Sequence, residues 1–197
     1  QNAGEAGEIL LEMRDVRIEG WSDEKWNPII KGVDLTLRRG EVLGLIGESG
    51  AGKSTLGKAA MGYTQPGCRI TAGSINFDGQ DLRTMRASGL QHLWGTRMAY
   101  VAQSAAASFN PAHKLLDQTV AATVREGLKS DTEARDDART LFDALSLPNP
   151  DTIGDRYPHP VSGGQLQRIL TAMAMSPRPD LIIFDEPPTA LDVTTQV

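Results

Sequence analysis

The chain has 197 residues, of which 40% are hydrophobic and 23% charged, and its formal net charge is −5. These values are typical of one large globular domain or of a domain with a subdomain, and a net negative charge gives no reason to expect nucleic acid as a partner. A single cysteine excludes an internal disulfide, and no stretch approaches the roughly 18–20 apolar residues that span a bilayer.

The first third of the chain predicts β structure after a small, polar segment, residues 1–8, which we expect to be a frayed or artificial terminus. The stretch "ILLEMRDVRI" is rich in apolar residues, and "GVDLTL" alternates between apolar and polar positions, as a half-buried strand does. The stretch "VLGLI" lacks alternation, which is typical of a strand buried on both faces. A short strand in "SINFDGQ" is followed by an Asp78-Gly79 turn, and "RMAYVAQ" predicts a further buried strand.

The composition then favours helices. Ser130 and Glu133 form a capping-box pattern, followed by apolar residues on one helical face at Ala134, Ala138, Leu141, Phe142 and Leu145. A second helix is predicted to begin at "SGGQ" and to end before "SPRP", with one apolar stripe at Leu166, Ile169, Leu170 and Met173. The last predicted strand, "DLIIFDE", ends in two acids. Strands therefore flank a helical insertion.

One glycine-rich stretch has the pattern of a phosphate-binding loop. "GESGAGKS" at 47–54 matches G-x-x-x-x-G-K-[ST], between a predicted strand and a predicted helix. Glycines allow backbone N–H groups to point at phosphate oxygens, and the following helix directs its positive end at the same anion. We call residues 47–55 the phosphate cradle; its members are Gly47, Glu48, Ser49, Gly50, Ala51, Gly52, Lys53, Ser54 and Thr55. The alternative is a glycine-rich turn that matches by chance.

The two acids at the end of "LIIFDE" suit a magnesium–nucleotide site. Such a site needs a carboxylate near the metal and a group that orients or deprotonates the attacking water. Asp185 is predicted for the first role and Glu186 for the second. The alternative is a strand end that meets solvent.

A second anion site is predicted in "VSGGQLQR" at 161–168. Ser162 would cap a helix, Gln165 would complete a capping box, and the two intervening glycines would leave backbone N–H groups open. Because the phosphate cradle already provides one anion site, a second one in another part of the chain suggests a site completed across a dimer.

Together these motifs resemble those of the nucleotide-binding domain of ABC ATPases. "GESGAGKST" is similar to Walker A, "LIIFDEP" to Walker B, "VSGGQ" to the signature motif and "TALD" at 189–192 to the D-loop, while Gln103 matches the Q-loop glutamine. The stretch "VAQSAAASFNP" resembles the oligopeptide, dipeptide and nickel importer subfamily. The resemblance implies an α/β fold: a P-loop NTPase with a RecA-like core and an N-terminal antiparallel β subdomain (9–103 and 177–197), plus an inserted α-helical subdomain (104–176).

The resemblance also implies roles. Two copies, identical or different, would sandwich two ATP molecules, with the cradle of one copy facing the signature residues of the other, namely Ser162, Gly163, Gly164 and Gln165. Glu186 would polarise the water, Asp192 would couple the two sites, and the residues near Mg²⁺ would be Ser54, Gln103 and Asp185. Gln103 and the helical subdomain would contact membrane permease subunits, which places the chain peripherally on the cytoplasmic face of the membrane. Either Trp21 or Trp26 would stack on the adenine.

Some features depart from this pattern. Val161 replaces the usual leucine, Pro188 replaces a threonine or serine, and the three histidines, His92, His113 and His159, all precede Walker B, whereas the family has a switch histidine after it. We therefore expect a chain that is truncated after the D-loop and hydrolyses ATP poorly. An ABC ATPase-like component of a soluble complex, such as the C–P lyase system, remains an alternative to an importer subunit. A chromosome-maintenance ATPase would need a long coiled coil that is absent from this sequence. The transported solute is not indicated.

Overall fold

A computed structural model describes residues 7–39, 41, 43–45, 51–102, 104–185 and 195–196. The chain divides into two compact units. The first contains Gln1–His92 together with Val193–Val197, and the second contains Leu93–Asp192. The domain boundaries expected from the motifs stay a prediction. They are 9–103 with 177–197 for the core and 104–176 for the helical subdomain.

The main sheet of the first unit has four antiparallel strands. In chain order these are β1 (Ile9–Ser22), β2 (Lys25–Arg38), β4 (Cys68–Phe77) and β5 (Gln80–Asp81), and their spatial order is β2-β1-β4-β5. The alternation predicted for "GVDLTL" is confirmed, since Leu37 is buried and Asp34 is exposed.

One fully buried group of apolar side chains lies on a single face of the sheet. Side chains two residues apart share a face of a strand, so the register places several buried apolar residues together. Leu11 on β1 is opposite Leu37 on β2 and Phe77 on β4, and Met13 is opposite Ile75. All five side chains are fully buried. This packing fixes the register, because a shift by one residue would turn the whole set towards solvent.

Two tight turns and a bulge shape the sheet. Asp78 and Gly79 both have positive φ angles, +49° and +81°, as a two-residue hairpin turn requires, so the predicted turn is confirmed. The turn between β1 and β2 uses Asp23 and Glu24, also with positive φ. At Gly73 the φ angle is +95°, and a Cβ atom there would lie 2.5 Å from the carbonyl oxygen of Asp15. This close approach coincides with a register shift between β1 and β4 and requires glycine.

The first unit also contains a short parallel strand pair and one helix. Strand β3 (Leu43–Leu45) pairs with β8 (Thr195–Gln196). Helix α1 (Ala51–Ala59) comes next in the chain after β3. The prediction of a strand and then a helix around the cradle is confirmed.

The second unit combines two parallel strands with a group of helices. Strands β6 (Met98–Val101) and β7 (Leu181–Asp185) pair in register from Met98 opposite Leu181 to Val101 opposite Phe184. Arg97 and Asp180 hold the start of this pair, because the Arg97 Nε donates to Asp180 Oδ2 at 2.7 Å and the Asp180 N–H donates to the Arg97 carbonyl at 2.9 Å.

Beyond α1, the described residues form the helices α2 (Ala87–Thr96), α3 (Ala105–Ser108), α4 (Leu115–Arg125), α5 (Asp131–Ala144) and α6 (Gly163–Met175), with a 3₁₀ turn at Ile153–Asp155. The apolar faces predicted for α5 and α6 are largely confirmed: Ala134, Ala138, Leu141 and Phe142 are buried on α5 and Leu166, Ile169 and Leu170 on α6. Leu145 is buried directly after the end of α5, and Met173 is half-buried. Within the described part of the chain, no helix combines the length and the apolar character needed to cross a bilayer.

Candidate functional site

The described part of the phosphate cradle forms the first turns of α1. Gly52, Lys53, Ser54 and Thr55 lie in this helix, which begins at Ala51. The predicted cradle residues Gly47, Glu48, Ser49 and Gly50 lie outside the described residues. The N-terminus of α1 presents backbone N–H groups, and the helix dipole adds a partial positive charge there, equivalent to roughly half an elementary charge. This end of the helix is suited to an anion.

Three side chains of α1 differ in their surroundings. Lys53 and Ser54 are half-buried, and the Lys53 Nζ has almost no contact with solvent. Thr55 is buried, and its hydroxyl donates to Gln65 Oε1 at 3.1 Å. This bond ties the helix to the segment that follows it, so the Thr55 side chain anchors α1. Gln65 was not identified from the sequence, because its partner is ten residues away across a turn.

The two candidate adenine-stacking residues lie side by side. Trp21 and Trp26 are opposite each other across the β1–β2 hairpin, with ring centroids 5.4 Å apart and planes at 70°. The Arg69 guanidinium lies over the Trp26 ring at 4.0 Å from its centroid and also pairs with Glu19 at 3.3 Å. One face of Trp26 is thus covered by a cation–π contact, whereas Trp21 is 54% exposed.

The predicted metal carboxylate lies at the end of the buried strand β7. Asp185 is only 5% exposed, and its Oδ2 accepts a hydrogen bond from the Tyr100 hydroxyl at 2.8 Å. A buried carboxylate requires such donors, because removing it from water is otherwise unfavourable. Sequence reasoning missed Tyr100, which is 85 residues away in the chain. Glu186, Gln103 and Asp192 lie outside the described residues.

The signature motif begins helix α6, which we call the signature helix. The Ser162 Oγ accepts from the Gln165 N–H at 3.3 Å, which confirms the predicted cap. Gly163 and Gly164 are exposed, and a Cβ atom added to either would meet nothing within 4 Å. The first turn of this helix therefore presents backbone N–H groups in open space, as an anion site does.

An arginine holds the signature helix in place. The Arg168 Nη1 donates to the Ser146 carbonyl at 2.8 Å, and its Nε donates to the Gly164 carbonyl at 3.4 Å. Ser146 follows the end of α5, so Arg168 joins the first turn of one helix to the end of another. No sequence pattern predicted this role; the motif shows only that a basic residue is present.

The candidate residues are distributed over both units. Lys53, Ser54 and the two tryptophans belong to the first, while Asp185 and the signature helix belong to the second. The donor types present, a serine hydroxyl and a carboxylate, are the hard oxygen ligands that Mg²⁺ prefers. The residues thus fit a magnesium–nucleotide ligand chemically.

Comparison with known proteins agrees with these features. Residues 30–189 match the model of the family described as "ABC transporter". Oligopeptide transport ATP-binding protein OppD of Lactococcus lactis subsp. cremoris is 35% identical over 189 residues, which cover 96% of this chain and 56% of the relative. AmiE of Streptococcus pneumoniae, also named an oligopeptide transport ATP-binding protein, is 38% identical over 95% of this chain and 53% of its own. The chain spans about half the length of the curated relatives it matches.

Solved structures show the same fold. A dimeric structure of the ATP-binding cassette MJ0796, described as bound to ADP and Pi, matches 93% of this chain and 76% of its own, with a TM-score of 0.78 at 24% identity. An ATP-binding subunit of an ABC transporter matches 93% of this chain and 68% of its own, with a TM-score of 0.69 at 26% identity. These neighbours are P-loop NTPases with mixed helix and sheet, so the fold class expected from the motifs is confirmed. The chain belongs to the ABC transporter family.

Proposed function

We propose that this chain binds and hydrolyses ATP as part of an ABC importer subunit that powers the uptake of peptide-like or related small solutes. The observation that carries the proposal is the presence of two helix N-termini suited to anions, those of α1 and of the signature helix. One nucleotide needs only one phosphate cradle, so the second N-terminus is assigned to the nucleotide of another ABC ATPase domain. The solute class rests on the names of the relatives.

The cradle residues Gly47 to Thr55 would hold the phosphates, with Lys53 neutralising the outer ones. Ser54, Gln103 and Asp185 would hold Mg²⁺, which when bound neutralises charge on the phosphate oxygens. Glu186 would orient the attacking water and accept its proton, and Asp192 would link the two sites.

Trp21 is the side chain we assign to the adenine. Its ring is more than half exposed, whereas Arg69 covers one face of Trp26, and the two indole rings form a T-shaped pair. In this arrangement the contact with Trp26 would hold the Trp21 ring in position. The assignment selects one of the two tryptophans that sequence reasoning left open.

The proposed dimer is tested with a variant that should bind ATP without hydrolysing it. Glu186→Gln removes the proposed base, so we expect Mg-ATP to double the mass measured by light scattering. Adding Gly163→Asp puts a carboxylate at the N-terminus of the signature helix, where open space accommodates it. This change should abolish the dimer and leave ATP binding to the cradle unchanged.

Gly163→Ala is the matched control, since it adds only a methyl group to the same open space and should keep the dimer. A dimer that survives Gly163→Asp would contradict the role of the signature helix. If the chain stays monomeric with ATP, the homodimer is excluded, and the partner in the proposed dimer is a different ABC ATPase domain.

The transport role is distinguished from the soluble-complex alternative by its partner. An importer subunit should co-purify from detergent extracts with membrane permease subunits, through the segment around Gln103 and the helical subdomain, on the cytoplasmic face of the membrane. Recovery in a membrane-free complex would favour a C–P lyase-like role. The slow hydrolysis expected of residues 1–197 by themselves stays a prediction, which a single-turnover measurement checks.

A further inference from the structure

We infer that Tyr100 positions the metal carboxylate: its hydroxyl holds Asp185 in the orientation that Mg²⁺ binding requires. This inference rests on the proposed function, because it gives Tyr100 a part in the same nucleotide site. Tyr100 is a positioning residue in this scheme, since it acts through Asp185.

The strand register places the two side chains within reach. Tyr100 is opposite Ile183 on the parallel strand β7, and Asp185 follows Ile183 by two residues, so both project from the same face. Two residues of strand span roughly 6.6 Å, a distance that the long tyrosine side chain bridges. The observed 2.8 Å between the Tyr100 hydroxyl and Asp185 Oδ2 is the result.

The opposite end of the strand pair is also fixed. The bonds between Arg97 and Asp180, 2.7 Å between side chains and 2.9 Å along the backbone, set the register where β6 and β7 begin. The register cannot slip without breaking them. The position of the Tyr100 hydroxyl against the carboxylate is therefore determined by the two strands and does not depend on a loop.

Packing alone gives no reason for a hydroxyl at this position. Tyr100 lines a cavity of about 180 Å³ that is bordered mainly by apolar side chains, among them Trp94, Met98, Leu170 and Met173. A phenylalanine ring would pack against the same neighbours. The hydroxyl is the feature of Tyr100 that the carboxylate uses.

Metal ligands are commonly oriented by hydrogen bonds from residues behind them, and removing such a partner typically weakens metal affinity about 10- to 100-fold. The carboxylate of Asp185 fits this description, because it is buried and held at one oxygen by a neighbouring strand. The effect of losing the hydroxyl should appear in the Mg²⁺ dependence of nucleotide binding and be absent when no metal is present.

The experiment titrates Mg²⁺ into the chain with a fluorescent ATP analogue and compares the unmodified chain with Tyr100→Phe. We expect the half-maximal Mg²⁺ concentration to rise about tenfold or more, with unchanged binding of the analogue in EDTA. Tyr157→Phe is the matched control, since it removes a hydroxyl from an exposed tyrosine of the same unit and should change none of these values.

A second comparison uses Asp185→Asn. If Tyr100 acts through Asp185, removing the hydroxyl from the Asp185→Asn variant should produce no further shift. A tenfold shift in that background, or a normal Mg²⁺ titration for Tyr100→Phe, would overturn the inference alone. Failure of the unmodified chain to bind the analogue with or without Mg²⁺ would overturn the proposed function and this inference with it.

Discussion

Trp21 and Trp26 are the same type of residue on the same hairpin, yet their surroundings differ. Trp26 is half-buried beneath Arg69, and Trp21 is exposed. Because every base offers a π-face, an exposed ring can stack on adenine without hydrogen-bond readout. The covered ring cannot do so on its occupied face.

The two tryptophans can be separated by substitution. Trp21→Ala should weaken ATP binding by about 1–3 kcal/mol, the usual contribution of aromatic stacking on a base. Trp26→Ala should have a smaller effect on ATP binding and lower the free energy of unfolding instead, since it removes the contacts with Trp21 and Arg69. Isothermal titration with ATP and urea unfolding measure the two effects. A larger loss of ATP affinity in Trp26→Ala would reverse the assignment.

At the level of elements, the N-termini of α5 and α6 are built alike. Ser130 accepts from the Glu133 N–H at 3.2 Å, and Ser162 accepts from the Gln165 N–H at 3.3 Å. Each bond satisfies one backbone donor that the helix leaves unpaired. In the proposed function, only the cap of the signature helix also faces a nucleotide.

This pair of caps supplies a controlled comparison. Ser130→Ala and Ser162→Ala should each destabilise the chain by about 1 kcal/mol, measured by urea unfolding. Only Ser162→Ala should also weaken the ATP-dependent dimer of the Glu186→Gln variant, measured by light scattering at a series of chain concentrations. Equal weakening by both substitutions would show that stability alone accounts for the effect.

The same elements show what sequence patterns can and cannot predict. Helices α5 and α6 were predicted because each begins with a serine cap and continues with a regular apolar stripe. Helix α4 was not, because Lys114 before it makes no side-chain cap and two positions of its buried face are threonines. Thr119 donates to the Leu115 carbonyl at 2.8 Å and Thr123 shares a hydrogen bond with Ser176 at 2.7 Å, so polar residues interrupt the stripe.

For the whole molecule, the motifs predicted the fold class and the family, because the cradle, the signature motif and the acids each follow a fixed local pattern. The contacts that support these motifs were not predicted. The bond from Tyr100 to Asp185 joins residues 85 positions apart, and Arg69 reaches Trp26 from another strand of the sheet. Such contacts depend on strand register, which a local pattern does not contain.

The central claim is that the chain binds Mg-ATP through the phosphate cradle, with Lys53 neutralising the outer phosphates. The most direct test measures Mg-ATP binding on one purified preparation each of the unmodified chain, Lys53→Ala and Glu186→Gln. We predict that the unmodified chain and Glu186→Gln bind Mg-ATP with similar affinity. Binding should be lost in Lys53→Ala, because this substitution removes the ammonium group that neutralises the outer phosphates. Equal affinity in all three chains would contradict the account.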